Sequence, residues 1–213
     1  MKGSEAKMFG FMEGADRRYV IPVYQRKYDW KYENCRQLYE DLKKIVTDGR
    51  ESHFFGSIVS AVVPSGSKIE YHIIDGQQRL TTVTLLLLAI RNLIAQGKLT
   101  SDEGRLDEQI SQRFLISPWA SEDDKIKLRP VKGDRDALAK LFGDEQDYDL
   151  GSNLTLNYRF FCDMLLKAEV PVEDLYAAIG KLEIINIFFI RFFSISFDNI
   201  MLRLKNSGVK SIL

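Results

Sequence analysis

Between Lys68 and Ile94 the apolar pattern switches from strand period to helix period within five residues, and any fold of this chain must accommodate that switch. From Lys68 to Asp75 the residues alternate, with Ile69, Tyr71 and Ile73 on one face, as in a half-buried strand. From Leu80 onward, Val83, Thr84, Leu87, Leu88, Arg91 and Ile94 recur at helical spacing. Val83 to Ile90 is apolar nearly all round, so this helix belongs at the centre of the core. Asp75-Gly76-Gln77-Gln78-Arg79 therefore sits where a strand feeds a helix N-terminus. Such a junction presents unpaired backbone N–H groups and the positive end of a dipole, and it favours anions.

Two readings of the junction stand side by side. In one, Asp75 is the N-cap, Gln78 completes a capping box and Gly76 lets the chain turn. That leaves Arg79 unexplained, because a cation in the first turn opposes the macrodipole by about 0.3–1 kcal/mol. In the other, an anion lies between the guanidinium and the opening amides, where arginine makes bidentate, charge-assisted bonds. The second reading makes Gly76–Arg79 a phosphate site.

A second constellation lies upstream, in Ile21-Pro22-Val23-Tyr24-Gln25-Arg26-Lys27-Tyr28-Asp29-Trp30. Pro22 lacks a backbone donor, so an edge strand or loop is expected there. Tyr24, Tyr28 and Trp30 read as packing residues. Gln25 and Arg26, a polar pair among aromatics, suit a base, a sugar or a phosphate. A helix over 31–48 follows, with Cys35, Leu38, Tyr39, Leu42, Ile45 and Val46 on its apolar face and Gly49 as its stop.

These two blocks, with His53-Phe54-Phe55-Gly56-Ser57-Ile58 between them, resemble the N-terminal domain of GmrSD-type restriction endonucleases. The resemblance is close over about residues 8–95 and looser at Lys125–Arg129 and the helix after it. It implies an α+β chain: a ParB/sulfiredoxin-like mixed α/β core over 1–117, then a mainly helical subdomain over 118–213. It implies nucleoside triphosphate binding and hydrolysis, with Mg2+ accompanying the nucleotide and with cleavage of modified, often phage, DNA in full-length members. By position, Asp75, Gln77 and Gln78 would be catalytic. Gln25, Arg26, Gly56, Ser57, Gly76 and Arg79 would bind nucleotide or phosphate. The alternatives are a non-catalytic ParB-like module gripping a DNA backbone, and an interaction scaffold.

With 45% hydrophobic residues in 213, the chain can bury a substantial core as one domain or two. Thirty basic and thirty acidic residues give a formal net charge of +0, so wholesale attraction to DNA is not built in. Any DNA contact needs a local patch, and Arg17, Arg18, Arg26 and Lys27 come nearest to one. Cys35 and Cys162 lie in separate helical patterns and read as reduced thiols of a cytoplasmic protein. No secretory signal opens the chain, and no apolar run reaches the roughly 18 residues of a membrane span. A P-loop is absent, since Pro64–Lys68 lacks its glycine spacing. His53 and His72 are not spaced as metal ligands; His53 starts a strand near the junction, and His72 points to solvent or a helix edge.

The remaining expectations concern organisation. A strand at about 54–63 is followed by a tight connection through Pro64–Ser67. Gly97–Asp124 is polar, with a short Phe114–Ile116 strand and an exposed loop at Pro118–Asp124. Residues 134–206 read as mostly helical, with helices at 134–142, 154–166 and 172–182, the last begun by Pro171. Ile187–Phe193 is unusually apolar and reads as a buried strand. The block Phe197–Gly208 matches the family only in part, which suggests a truncated chain whose nuclease domain or subunit lies elsewhere.

Overall fold

The computed structural model describes residues 2–65, 68–117, 120–121, 124–168 and 170–190. Six strands form one mixed sheet: β1 (Lys2–Lys7), β2 (Arg17–Val20), β3 (His53–Ser65), β4 (Lys68–Asp75), β5 (Leu128–Arg129) and β6 (Leu182–Ile190), in the order β1-β6-β3-β4-β2-β5. The helices are α1 (Met8–Met12), α2 (Tyr32–Thr47), α3 (Gln77–Ala95), α4 (Leu106–Ile110), α5 (Lys132–Lys140), α6 (Asn153–Leu166) and α7 (Val172–Gly180). The expected mixed α/β fold is what forms.

β2 runs parallel to both β4 and β5, and β3 runs antiparallel to β4. The carboxyl ends of β2, β4 and β5 and the start of β3 therefore share one edge of the sheet. Both constellations singled out from the sequence sit on that edge, where open α/β sheets form ligand crevices. β2 lies between two neighbours, so Pro22 cannot be inside it. The strand stops at Val20, Ile21 donates one last N–H to the Arg129 carbonyl at 2.8 Å, and Pro22, which has no donor, turns the chain away.

One face of the sheet carries the core. Ile58, Ile73, Ile184 and Tyr19 point into it with at most 4% exposure, and Phe11, Tyr19 and Tyr71 stack there in tilted and edge-to-face pairs. α3 is buried almost throughout, including every residue from Leu80 to Ile90, so its all-round apolarity means what the sequence suggested. α6 packs along it. Trp30 packs against the core from the side, as expected of it.

Four expectations change. Phe114–Ile116 is not a strand: Ser111–Leu115 is a π-helical turn that buries Phe114 and Leu115, and only Ile116 makes an isolated bridge, to Ile126. The polar stretch after Gly97 contains α4, which hides Leu106 and Ile110. Residues 134–180 are mostly helical as expected, in α5, α6 and α7, but β6 starts at Leu182, ahead of the strand expected from Ile187, and returns to the sheet between β1 and β3; residues 191–206 lie outside the described residues. Two members of the basic cluster, Arg17 and Arg18, are engaged by other groups of the fold, while Arg26 and Lys27 stay exposed. Arg18 is 6% exposed, pairs with Asp124 at 3.0 Å and reaches Glu70 at 3.7 Å. Arg17 caps α1 by donating to the carbonyls of Gly10 and Phe11, both at 2.8 Å. A chain end of carbonyls attracts a cation, and that contact outranks solvation here. The block Phe197–Gly208 and part of Pro64–Ser67 and Pro118–Asp124 lie outside the described residues.

Cys35 is buried and Cys162 partly so; both are free, and burial pushes each thiol up to about 11. No helix among the described residues is long and apolar enough to cross a membrane.

Lys127, just before β5, is 1% exposed and donates to the Arg113 carbonyl within the π turn. Burial, with the Arg17 charge beside it, pushes this amine down to about 8. The unfolded chain holds that proton to about pH 10.4, so between these values unfolding takes up a proton and stability rises with pH. In Lys127→Met that rise should disappear. Urea midpoints of both proteins at pH values from about 7 to about 10 check this, and parallel curves would refute it.

Candidate functional site

The junction between β4 and α3 is closed by Gly76, which sits in the left-handed region at φ +86° and serves as the N-cap. A Cβ there would lie 2.8 Å from the Ser57 carbonyl oxygen and 3.0 Å from the Ile58 side chain. Glycine is therefore required both for its backbone conformation and for the close approach of β3. The capping-box expectation fails at this point. Asp75 is still paired in β4, opposite Val59, and α3 receives no side-chain cap. Its opening amides are left to solvent or a ligand.

Gln78 is 7% exposed and faces the other way, into the loop after β2. Its Oε1 accepts from the N–H groups of Asp29 (2.9 Å) and Trp30 (3.2 Å), and its Nε2 donates to the Lys27 carbonyl at 3.2 Å. Gln77, 8% exposed, donates to Gln25 Oε1 at 3.2 Å, and Gln25 donates to the Ile74 carbonyl at 2.8 Å. The two glutamines of the junction thus tie the Gln25–Trp30 loop to the end of β4 and the start of α3.

Arg79 turns back over the start of β3. Its Nη1 donates to the Ser57 carbonyl at 3.2 Å, and its guanidinium lies against Gly56, where a Cβ would be 2.8 Å from Nε. Gly56 is at φ +113°, next to a register shift between Phe54 and Gly56, so this bulge makes the seat for the guanidinium. Arg79 pairs with no carboxylate among the described residues, which leaves most of its donors for a ligand. The Asp75 carboxylate and the exposed Arg26 guanidinium likewise make no hydrogen bond or ion pair among the described residues.

The structure therefore brings Gln25, Gly56, Ser57, Asp75, Gly76, Gln77 and Arg79 to one edge of the sheet, with Arg26 beside them on the adjoining loop. Gln78 belongs to the scaffold beneath them. His53 is not among them; it lies 3.6 Å from Asp41 of α2. His72 pairs with Glu70 at 3.0 Å on its own strand. No group of three or more His, Cys, Asp or Glu among the described residues is arranged to hold a metal by itself.

Sequence reasoning missed what holds the loop. Tyr28 is buried, its N–H donates to Asp134 Oδ2 at 2.6 Å, and its hydroxyl is 2.8 Å from Thr82 Oγ1. Asn157 of α6 donates to both the Tyr28 hydroxyl (3.0 Å) and the Trp30 carbonyl (2.8 Å). A signal was present: Leu154, Asn157, Tyr158, Phe161 and Leu165 form one buried stripe, with an amide where a hydrocarbon is expected.

The family model described as GmrSD restriction endonuclease, N-terminal domain, matches residues 8–205. No curated protein matches the chain.

Proposed function

The chain belongs to the GmrSD restriction endonuclease N-terminal domain family, as a component of a GmrSD-type restriction protein, and from that premise we propose that the β4–α3 junction binds and hydrolyses a nucleoside triphosphate. One observation supports this above the others: a guanidinium seated on a glycine bulge, free of carboxylate partners among the described residues, at the uncapped N-terminus of a buried helix. A phosphate group satisfies the amides, the dipole and the arginine together.

In this reading Arg79 and Arg26 hold phosphate oxygens and offset the charge that develops on the transferred group. Gln77, whose Nε2 is fixed by Gln25, keeps its Oε1 to orient the attacking water, while Asp75 accepts a hydrogen bond from that water. Water oxygen bonds to the terminal phosphorus as the bridging P–O bond breaks, so that the nucleoside diphosphate leaves on its bridging oxygen and the water's proton passes to a phosphate oxygen. Mg2+ would be held by the triphosphate and the Asp75 carboxylate, which suits an ion bound through one or two carboxylates plus phosphates, and it would neutralise phosphate charge. Gln78 acts by holding the loop.

Gripping of a DNA backbone is the weaker reading, since two of the four candidate cations, Arg17 and Arg18, are spent inside the fold. Phosphate release and binding measured over ATP, GTP, CTP and UTP with Mg2+ test the proposal. Arg79→Ala should weaken triphosphate binding about 10- to 100-fold, the worth of about 1.5–3 kcal/mol for hydrogen bonds to a charged group. Asp75→Ala should lower phosphate release far more than binding. Equal binding by Arg79→Ala and parent would refute the site, and binding only to DNA, falling steeply with salt, would favour the weaker reading.

A further inference from the structure

We infer that Asn157, on α6 and remote in sequence from both constellations, is a positioning residue of the triphosphate site; this rests on the function proposed above. The loop carrying Gln25 and Arg26 has no regular secondary structure from Arg26 to Lys31, so no ladder of backbone bonds fixes its shape. Side chains from three helices do so instead. Gln78 of α3 takes the amides of Asp29 and Trp30, Asp134 of α5 takes that of Tyr28, and Asn157 of α6 takes the Trp30 carbonyl.

Asn157 also closes a chain of bonds that returns to the junction itself. The Trp30 carbonyl can only accept, so the Asn157 amide nitrogen must face it, and the same nitrogen donates its second hydrogen to the Tyr28 hydroxyl. Thr82 donates to the Gln78 carbonyl at 2.8 Å, so the Tyr28 hydroxyl donates to Thr82 Oγ1. One relay thus runs from α6 through the loop to the first turn of α3. Asn157 is 4% exposed, sits in an apolar stripe and, among the described residues, makes no hydrogen bond to Gln25, Arg26, Asp75, Gln77 or Arg79. A polar side chain buried so fully specifies one geometry rather than adding bulk cohesion. The geometry it specifies is where Arg26 stands relative to Arg79. In this way α6 helps to build a site whose binding groups all lie on other elements.

The test is a double-mutant cycle read by calorimetric titration with ATP, GTP, CTP and UTP in turn. Asn157→Ala should weaken binding of the preferred triphosphate about fivefold to tenfold, the worth of one well-made hydrogen bond's geometry. In an Arg26→Ala background the same substitution should have no further effect on binding, although it still lowers the melting temperature. A role in stability alone would leave affinity unmoved in both backgrounds. Gln25→Ala serves as the background if Arg26→Ala leaves too little binding to measure. Should Asn157→Ala fail to fold, Tyr28→Phe keeps the ring and removes the hydroxyl's bonds to Asn157 and Thr82, with about a twofold to threefold loss expected under the same coupling. Unchanged affinity, or equal losses in both backgrounds, overturns the positioning role alone. A parent protein that binds none of the four triphosphates overturns the proposed function with it.

Discussion

Gly76→Ala is expected to lower the unfolding free energy by about 2–5 kcal/mol. About 1–2 kcal/mol comes from holding an L-residue in the left-handed region, to which the +86° of Gly76 belongs. About 1–3 kcal/mol more comes from overpacking, because the new methyl group would meet the Ser57 carbonyl at 2.8 Å and Ile58 on its far side. Neither neighbour can easily retreat. Ser57 is paired with Ile185 of β6, and Ile58 is fully buried in the core. Urea denaturation with an unchanged slope and a lower midpoint would report the loss. A variant within about 0.5 kcal/mol of the parent, the usual range for neutral surface changes, would mean that the β3–β4 approach is slack and that glycine is dispensable there. Any ligand bound by α3's opening amides should suffer as well, since relief of the clash must move β3 away from the helix start.

The second large effect is expected at Leu87. Leu87→Ala should cost about 3–5 kcal/mol, the range for a leucine removed from a site that cannot collapse. Leu87 is 0% exposed in the middle of α3, among side chains that are themselves fully buried. The surrounding helices are held by their own contacts and by the sheet, so the cavity has little means of closing. Eight residues separate Leu87 from Arg79, about 12 Å along a helix. Below its lowered melting temperature the variant should therefore bind triphosphate as the parent does. A cost under about 1 kcal/mol, found by the same denaturation measurement, would show that α3 is not the packed centre that its burial indicates. Loss of affinity in the folded variant would show that the helix start is coupled to its middle.

The two substitutions probe what was and was not legible in the residues. The strand at Lys68–Asp75, the helix that begins at Gln77 and the helix over Tyr32–Thr47 were readable because each states its period locally, over more than one turn or several alternations. The glycine turn between β4 and α3 was readable for the same reason. So was the anomaly of Arg79, since a dipole opposing a cation is a fact about neighbours in sequence. The π turn at Ser111–Leu115 was not readable, because a short apolar run fits a strand or a helix equally until its surroundings decide. The capping box was a fair local expectation, overruled because Gln78 found three backbone partners some 50 positions away in the chain.

Lys127 shows the same limit from the other side. Nothing near it in sequence says that its amine will be buried against the Arg113 carbonyl; only the crossing of β5 with the π turn puts it there. Arg17 became a helix cap on carbonyls six and seven positions back, and Arg18 a buried ion pair with the Asp124 carboxylate, brought within reach from over a hundred residues away.

The amino-acid order by itself determined the alternation, the buried helix, the glycine hinge between them and the anomaly of Arg79 at the helix start, because these depend on interactions within a few positions. Tertiary structure alone decided that Gly56 would seat Arg79, that Gln77 would reach Gln25, and that Asn157 and Asp134 would hold the loop. Each of those contacts joins groups at least twenty residues apart, and their meeting is set by how the strands are ordered and how α3 and α6 pack. Hydrogen bonds act over about 3 Å, and no local period encodes which distant groups will come that close.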